Sequence, residues 1–376
     1  MPRTSGRAHV FANNGGCPVR YKLLSLLLLL VTLSCCAAAD TGTAICLEDF
    51  LASADASGRP QILYTGQTSV SLTKRSEADA ESASLGTLKA KETVQIFGFD
   101  QTWLFCWDND VGIYYIKRAN VVDIVPLAGN DVPYGVIPNR FVAVTACDTT
   151  LYASPDPESE ALDTYPADTR MSLWMIQDGW AVIPYKRLVG YLYVGDLKEL
   201  TPVAPSVEYA QDGDIIAAFT TFYSLKQTEL NIGRMENIRV GCMYISHSYE
   251  PGEEFDFNAI AGPYRASRGY KPSPVLVDGG TVAGSGGGTC QVSTTLYNAL
   301  LQLYDGITIL YRHAHGPGGA SYAPHGVDAA VGRNGDAGVI ELNLEFRNDF
   351  DFPITIDSTV QNGSLCICIR KGRVSE

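Results

Sequence analysis

The chain has 376 residues, of which 46% are hydrophobic and 18% charged. That is enough apolar material for two or three domains with cores of their own, and it excludes wholesale disorder. The formal charge is −13, and the first 39 residues hold four basic side chains and no acidic ones, so the remainder carries −17. Such a surface repels phosphate, which excludes nucleic acid as the main partner.

The N-terminus has the layout of a leader. Arg20 and Lys22 precede the apolar run Leu23–Leu33, which is followed by small residues up to Ala39 and then by Asp40. A basic start, an apolar stretch of about 7–15 residues and an Ala-x-Ala site describe a secretory signal. The stretch to Ala39 also approaches the ~17 residues that a membrane span needs, and Cys35 and Cys36 are placed for lipidation. Residues 1–39 therefore read as a cleaved signal, a retained anchor or a lipid anchor, and each alternative puts the rest of the chain outside the cytoplasm. Seven cysteines remain beyond the leader, an odd number without a close-spaced framework, so at least one stays unpaired within the chain. Cys366 and Cys368 fall on one face of an expected strand and read as buried apolar residues, and Cys290 is the candidate free thiol.

Two segments then repeat the same landmarks. Val70-Ser71-Leu72, Gly86-Thr87-Leu88, Trp103 and Gly112–Ile116 are answered by Thr150-Leu151-Tyr152, Leu162–Tyr165, Trp180 and Gly190–Val194. The two tryptophans are 77 residues apart and the two glycines 78, so the landmarks recur in register. Short alternating strands separated by turn residues predict a small barrel in each segment. The order resembles bacterial SH3-like domains over residues 62–126 and 141–201, a likeness that implies binding of wall peptides or a spacer role. Trp103 and Trp180 read as core residues, with ligand stacking as the alternative. Thr201–Ser206 is a short extended linker. Beyond it glycines cluster and four of the five histidines lie between 247 and 325, so residues 212–372 are expected to form a third domain. His247, in the strand-like run Gly241–Ser248, reads as structural.

The sharpest feature is Gly284-Ser285-Gly286-Gly287-Gly288-Thr289-Cys290-Gln291, followed by Val292, Leu296, Ala299, Leu300 and Leu303 at helical spacing and by Asp305-Gly306. A glycine loop thus feeds a helix with Cys290 in or just before its first turn. Free N–H groups and the positive end of the helix dipole favour a thiolate there, and the glycines let a substrate backbone approach. A phosphate-binding loop would need Lys and then Ser/Thr after the last glycine, and Thr289-Cys290 stand in their place. The remaining alternative is a structural turn with a buried cysteine.

Further on come Arg312-His313-Ala314-His315 and Tyr322-Ala323-Pro324-His325-Gly326-Val327-Asp328. Histidine is suited to take a thiol proton near neutral pH, and two histidines two apart on an extended stretch face the same way. Asp328 is placed to orient one of them, as the third member of a triad does. Zinc ligation is an alternative, but H-x-H…H is not a recognised closed site, so no metal or other cofactor is expected.

These residues resemble the VanW family, named for a vancomycin-resistance cluster. The likeness rests on Gly286-Gly287-Gly288-Thr289-Cys290-Gln291-Val292-Ser293-Thr294-Thr295-Leu296-Tyr297-Asn298-Ala299, on Pro251–Asn258 and on Arg312-His313-Ala314-His315. Gly326–Val331, Phe346-Arg347-Asn348 and Pro353-Ile354 extend it to roughly residues 215–370. Ser285 replaces a usual apolar residue, and Ala330 a usual threonine. Some members of the family resemble L,D-transpeptidases in function, which implies crosslinking of peptidoglycan stem peptides through a cysteine at the position of Cys290. The expected fold is mainly β with some α: two small SH3-like barrels and an α+β VanW-like domain with one central helix after the glycine loop. The expected activity is a cysteine acyltransferase with Cys290 as nucleophile, His315 as base, His313 second to it and Asp328 as orienter. Gly286, Gly287, Gly288, Gln291, Arg312 and Tyr322 are the candidate substrate-binding residues, and the partner is the stem peptide or the wall. The alternative is a non-catalytic protein that binds the wall or a glycopeptide.

Overall fold

Strands dominate the described residues. The computed structural model describes residues 59–277, 280–316, 319–332 and 342–373. The leader expectations for residues 1–39, and Cys46, lie outside the described residues. Among the described residues no helix is long and apolar enough to cross a membrane, and Cys106, Cys147, Cys242, Cys290, Cys366 and Cys368 are free thiols.

The first segment holds β1 (Tyr64–Thr68), β2 (Leu72–Arg75), β3 (Ser84–Leu88), β4 (Thr93–Phe99), β5 (Trp103–Asp108), β6 (Gly112–Lys117) and β7 (Val121–Pro126). They form one antiparallel sheet in the order β3-β2-β6-β5-β4-β1-β7. Alternation along the strands sends Tyr64, Val94, Ile96, Leu104, Tyr114 and Ile116 into one core and gathers Phe97, Trp103, Phe105 and Tyr115 in another. Trp103 is 6% exposed, which makes it a packing residue, and Lys117 Nζ sits 3.9 Å over its ring.

The second segment repeats that strand order. It holds β8 (Phe141–Thr145), β9 (Thr149–Tyr152), β10 (Ala161–Tyr165), β11 (Arg170–Leu173), β12 (Met175–Gln177), β13 (Trp180–Tyr185), β14 (Leu188–Tyr193) and β15 (Leu197–Pro202). The counterpart of β4 is interrupted at Trp174, so the strands divide into the sheets β10-β9-β14-β13-β12 and β11-β8-β15. Neither segment closes on itself, and the expected barrels are open sheets. In the second segment a physical reason is visible: Trp174 and Met175 pack into the core of the third segment, which draws the chain out of the ladder. Trp180 is half-buried, with edge-on contacts to Tyr152 at 5.8 Å and Tyr193 at 6.0 Å.

The third segment begins with β16 (Ile215–Phe222), buried along its whole length, and α1 (Glu229–Ile245). Then come β17 (Ser248–Tyr249), β18 (Glu254–Asp256), α2 (Phe257–Ala261), β19 (Pro272–Val277), β20 (Gly280–Ser285) and α3 (Thr289–Leu300). β21 (Ile307–Arg312), β22 (Leu344–Asn348), β23 (Ile354–Gln361) and β24 (Ser364–Lys371) complete it. The sheets are β16-β24-β23-β17, β18-β22-β21 and the hairpin β19-β20; α3 packs on β16 and β24, and α1 lies against β19 and α3. The strand-like run Gly241–Ser248 is a correction, because its first five residues are the last turns of α1. Asn237, Ile238, Gly241, Cys242 and Ile245 recur at helical spacing on its buried face. Gly241 permits the approach of α3, since a Cβ there would lie 3.3 Å from Val292. His247 follows the helix, exposed, and its carbonyl accepts from the Ile356 N–H.

Both earlier segments are joined to the third. The expected linker is fixed by Val203 N–H to the Arg140 carbonyl and Ala204 N–H to the Ile215 carbonyl, each 2.8 Å. Ser172 N–H donates to Thr220 Oγ1 (2.8 Å), Ser364 Oγ donates to the Arg170 carbonyl (2.6 Å), and Tyr165 and Tyr185 lie against Phe222. From the first segment the buried Arg118 lies against the rings of Phe99 and Tyr134 and donates to the carbonyls of Asp100 (2.8 Å) and His325 (3.0 Å).

Candidate active site

The glycine triplet solves a problem of space. Gly286 and Gly288 have φ of +87° and +110°, and a Cβ on Gly287 would lie 2.1 Å from the Pro274 carbonyl oxygen. The Gly287 carbonyl accepts from Asn237 Nδ2 (3.0 Å) and Ser273 Oγ (3.3 Å). Gly288 caps α3, so Cys290 is the second residue of that helix. The N–H groups of Thr289 and Gln291 donate to the carbonyls of Gly286 (3.1 Å) and Gly288 (3.0 Å), which leaves the Cys290 N–H and the positive end of the helix dipole to stabilise negative charge at or beside the sulfur.

The polar face of α3 fixes the segment that carries the acid. Ser293 Oγ donates to the Ala329 carbonyl (2.6 Å), Ala329 N–H to Thr294 Oγ1 (3.0 Å) and Asn298 Nδ2 to the Val327 carbonyl (2.7 Å). This register lays Val331 beside Cys290, whose Sγ is 3.3 Å from the Val331 oxygen and 3.5 Å from its nitrogen. Asp328 is 1% exposed, and its Oδ2 accepts from the His315 backbone N–H (2.8 Å) and from Nδ1 of the ring (2.6 Å). The ring also lies close enough to Cys290 to be influenced by its charge, and with Nδ1 held by Asp328 the nitrogen left to face the sulfur is Nε2.

Desolvation pulls the His315 imidazole down, but hydrogen bonds and charge from Asp328 and Cys290 outweigh it and raise the group to about 10. Burial raises the Asp328 carboxyl in turn, yet the two bonds from His315 and the nearby Arg312 hold it below its ordinary value. At neutral pH the pair is an imidazolium and a carboxylate.

Residues 233–370 match the family model described as VanW like protein. That VanW-like segment contains Cys290, His315 and Asp328. The chain is 35% identical over 140 residues to the uncharacterized protein YoaR of Bacillus subtilis (strain 168), an alignment spanning 37% of this chain and 43% of that relative. Among solved structures, NlpC2 and NlpC1 of Trichomonas vaginalis are 11% and 12% identical, with TM-scores of 0.15 and 0.16. They cover 50% and 89% of this chain, and 59% and 100% of their own. An NlpC/P60 family protein of Bacillus cereus ATCC 10987 is 10% identical over 49% of this chain and 65% of its own, with a TM-score of 0.15. Scores this low carry no argument about fold or function.

The other candidate residues of the VanW-like segment divide by their contacts. His313 forms a backbone bridge with Ala330, and among the described residues its ring has no hydrogen bond to Cys290 or Asp328. The extended register ends there, so the two histidines do not share the sulfur. Arg312 donates from Nε to the Asp328 carbonyl (2.7 Å) and from NH2 to the Gly326 carbonyl (2.8 Å), so it holds the acid's loop. His325 is pulled down to about 4 by desolvation and then by Arg187 and Arg118, and it is neutral at physiological pH. The described residues hold no group of three His, Cys, Asp or Glu arranged for a metal.

Gln291 and Tyr322 line a cavity of about 470 Å³ between the VanW-like segment and the second strand segment, which contributes Asp163 and Lys186 to its wall. The Tyr322 hydroxyl reaches Thr294 and is raised by burial and by the charge of Cys290. Arg234 of α1 lines the same cavity, and its NH2 donates to Gln291 Oε1 (2.7 Å). Sequence reading missed Arg234, since no motif surrounds it and its helix was not legible.

Proposed function

We propose that this is an exported cell-envelope protein in which the VanW-like segment acts as a cysteine acyltransferase on peptidoglycan stem peptides, in the manner of an L,D-transpeptidase. The observation that carries the reading is the His315 ring bound to buried Asp328 at 2.6 Å and under the influence of Cys290, which sits at the start of a helix. The leader pattern and the likeness to VanW proteins support the location, and the two repeated strand segments read as SH3-like modules that flank the site.

In the reactive form His315 holds the proton of Cys290. The thiolate attacks the carbonyl carbon of a stem peptide, and the oxyanion forms beside the Cys290 N–H and the positive end of the α3 dipole. As the intermediate collapses the C–N bond breaks, and Nε2–H gives its proton to the departing amine, leaving a thioester. The amine of a second stem then attacks the thioester, its proton passes to His315, and the sulfur leaves as thiolate. Asp328 stays ionised throughout, holding the tautomer and stabilising the imidazolium.

The second reading is a binding protein without catalysis, favoured by one contact: in the resting geometry the Cys290 thiol is engaged by the Val331 backbone. Intact-protein mass spectrometry after incubation with a purified stem tetrapeptide separates the two. An acyl adduct that is absent from Cys290→Ala supports the enzyme. No adduct, with Cys290 also inert to alkylation in the folded protein, contradicts it.

A further inference from the structure

Among the described residues Arg234 makes no salt bridge to a carboxylate, and it lines a cavity that could hold one. Its side chain runs along the glycine loop, with its Cγ 3.2 Å from where a Cβ of Gly288 would stand, two residues before Cys290. Its NH2 donates to Gln291, which is itself fixed by donating to Thr221 Oγ1 (2.9 Å) and the Phe222 carbonyl (3.1 Å). A guanidinium has five N–H donors, so the fork keeps several for the cavity that it lines. Among the described residues no carboxylate pairs with it. The acid on the cavity wall, Asp163, is engaged by the hydroxyls of Tyr185 (2.8 Å) and Tyr165 (3.3 Å) on the opposite segment. Burial pulls the guanidinium down from its ordinary value, as expected of a desolvated charge waiting for a partner.

The wall as a whole is cationic. Arg234, Lys186 and Lys226 stand against the single carboxylate of Asp163, in a chain whose formal charge is −13. A positive recess in an acidic surface focuses field and collects anions. Because Arg234 packs on Gly288 and bonds Gln291, the residues that bracket Thr289 and Cys290, an anion held by its fork lies close to the bond that the sulfur attacks.

We infer that this cavity is a carboxylate site, in which the fork of Arg234, oriented by Gln291, grips the free C-terminal carboxylate of the peptide that donates its acyl group to Cys290. The inference rests on the acyltransferase reading above and narrows it: donors are peptides whose terminal residue leaves with a free carboxylate, and amidated peptides are poor donors. Planar bidentate recognition is what an arginine provides and a lysine does not.

A pair of small alkylating agents tests this without knowledge of the substrate. Iodoacetate carries a carboxylate next to its reactive carbon, and iodoacetamide is its neutral isostere; both report on the same thiolate, so their rate ratio cancels any change in thiol ionisation. For Cys290 in the full chain, the iodoacetate-to-iodoacetamide ratio should exceed that of glutathione by about tenfold or more. It should fall to the glutathione value in Arg234→Gln and stay intermediate in Arg234→Lys, which retains the charge and guards against a folding defect. A ratio at the glutathione value in the unmodified protein, or one unmoved by Arg234→Gln, overturns the carboxylate site while leaving a reactive Cys290 in place. If neither agent reaches Cys290 in the folded protein, the acyltransferase reading and the site built on it both fail.

Discussion

Two cysteines lie on the two packed helices of the VanW-like segment, and they differ in each property that governs reactivity. Cys242, near the end of α1, is 3% exposed among apolar side chains, and burial pushes its thiol up to about 12. Cys290, in the first turn of α3, is half-buried, bonds the Val331 backbone and influences the His315 ring. Both are small side chains on a helix packed in one core, so the residue type does not separate them. Position along the helix and the partner delivered by a distant loop do.

The sharpest way to break the comparison is to exchange the two losses. Cys290→Ala should abolish the acyl adduct and peptide exchange altogether, whereas Cys242→Ala should keep the activity and lower stability by about 1 kcal/mol; a denaturant titration beside the activity assay reads both. His315→Ala comes next, with a fall in turnover of roughly 10²–10⁴-fold if the ring moves the proton. A smaller loss from His313→Ala would confirm that the two histidines are not equivalent.

Asp328→Asn should act through pH. The raised His315 in the folded protein contributes stability that is fully present below the unfolded imidazole value of about 6.5 and is lost as pH rises through about 10. Thermal unfolding of the unsubstituted protein should therefore weaken across that window, and Asp328→Asn should flatten the decline. The alkaline limb of turnover, where His315 loses its proton, should move to lower pH in the same variant, and an unchanged limb would remove Asp328 from its proposed role. Gly288→Ala carries the smallest effect, about 1–2 kcal/mol for a left-handed residue whose new Cβ meets the Arg234 backbone oxygen at 3.0 Å.

The parts of this site that were legible in the sequence are those set by local rules. Gly286 and Gly288 occupy left-handed backbone that disfavours side chains, and Val292, Leu296, Ala299 and Leu300 mark the buried face of α3 through their period. The repeat was legible because Trp103 and Trp180 open equivalent strands. What escaped was decided by distant partners. α1 hides its helical face behind Asn237, Gly241 and Cys242, which read poorly as a core stripe, and it carries Arg234 out of view with it. The open second sheet depends on Trp174 finding the core of another segment, and the separation of His313 from His315 depends on where the pairing with Ala330 stops. None of these leaves a mark in the nearby sequence.

The most direct test of the central claim, that Cys290 is a reactive thiol paired with His315, is alkylation of the folded protein by iodoacetamide at pH 6.5, followed by peptide mapping. The account predicts that Cys290 is modified first, ahead of Cys147 and well ahead of the buried Cys106, Cys242, Cys366 and Cys368, and that His315→Ala abolishes its lead. A Cys290 that remains unmodified until the protein unfolds would contradict it.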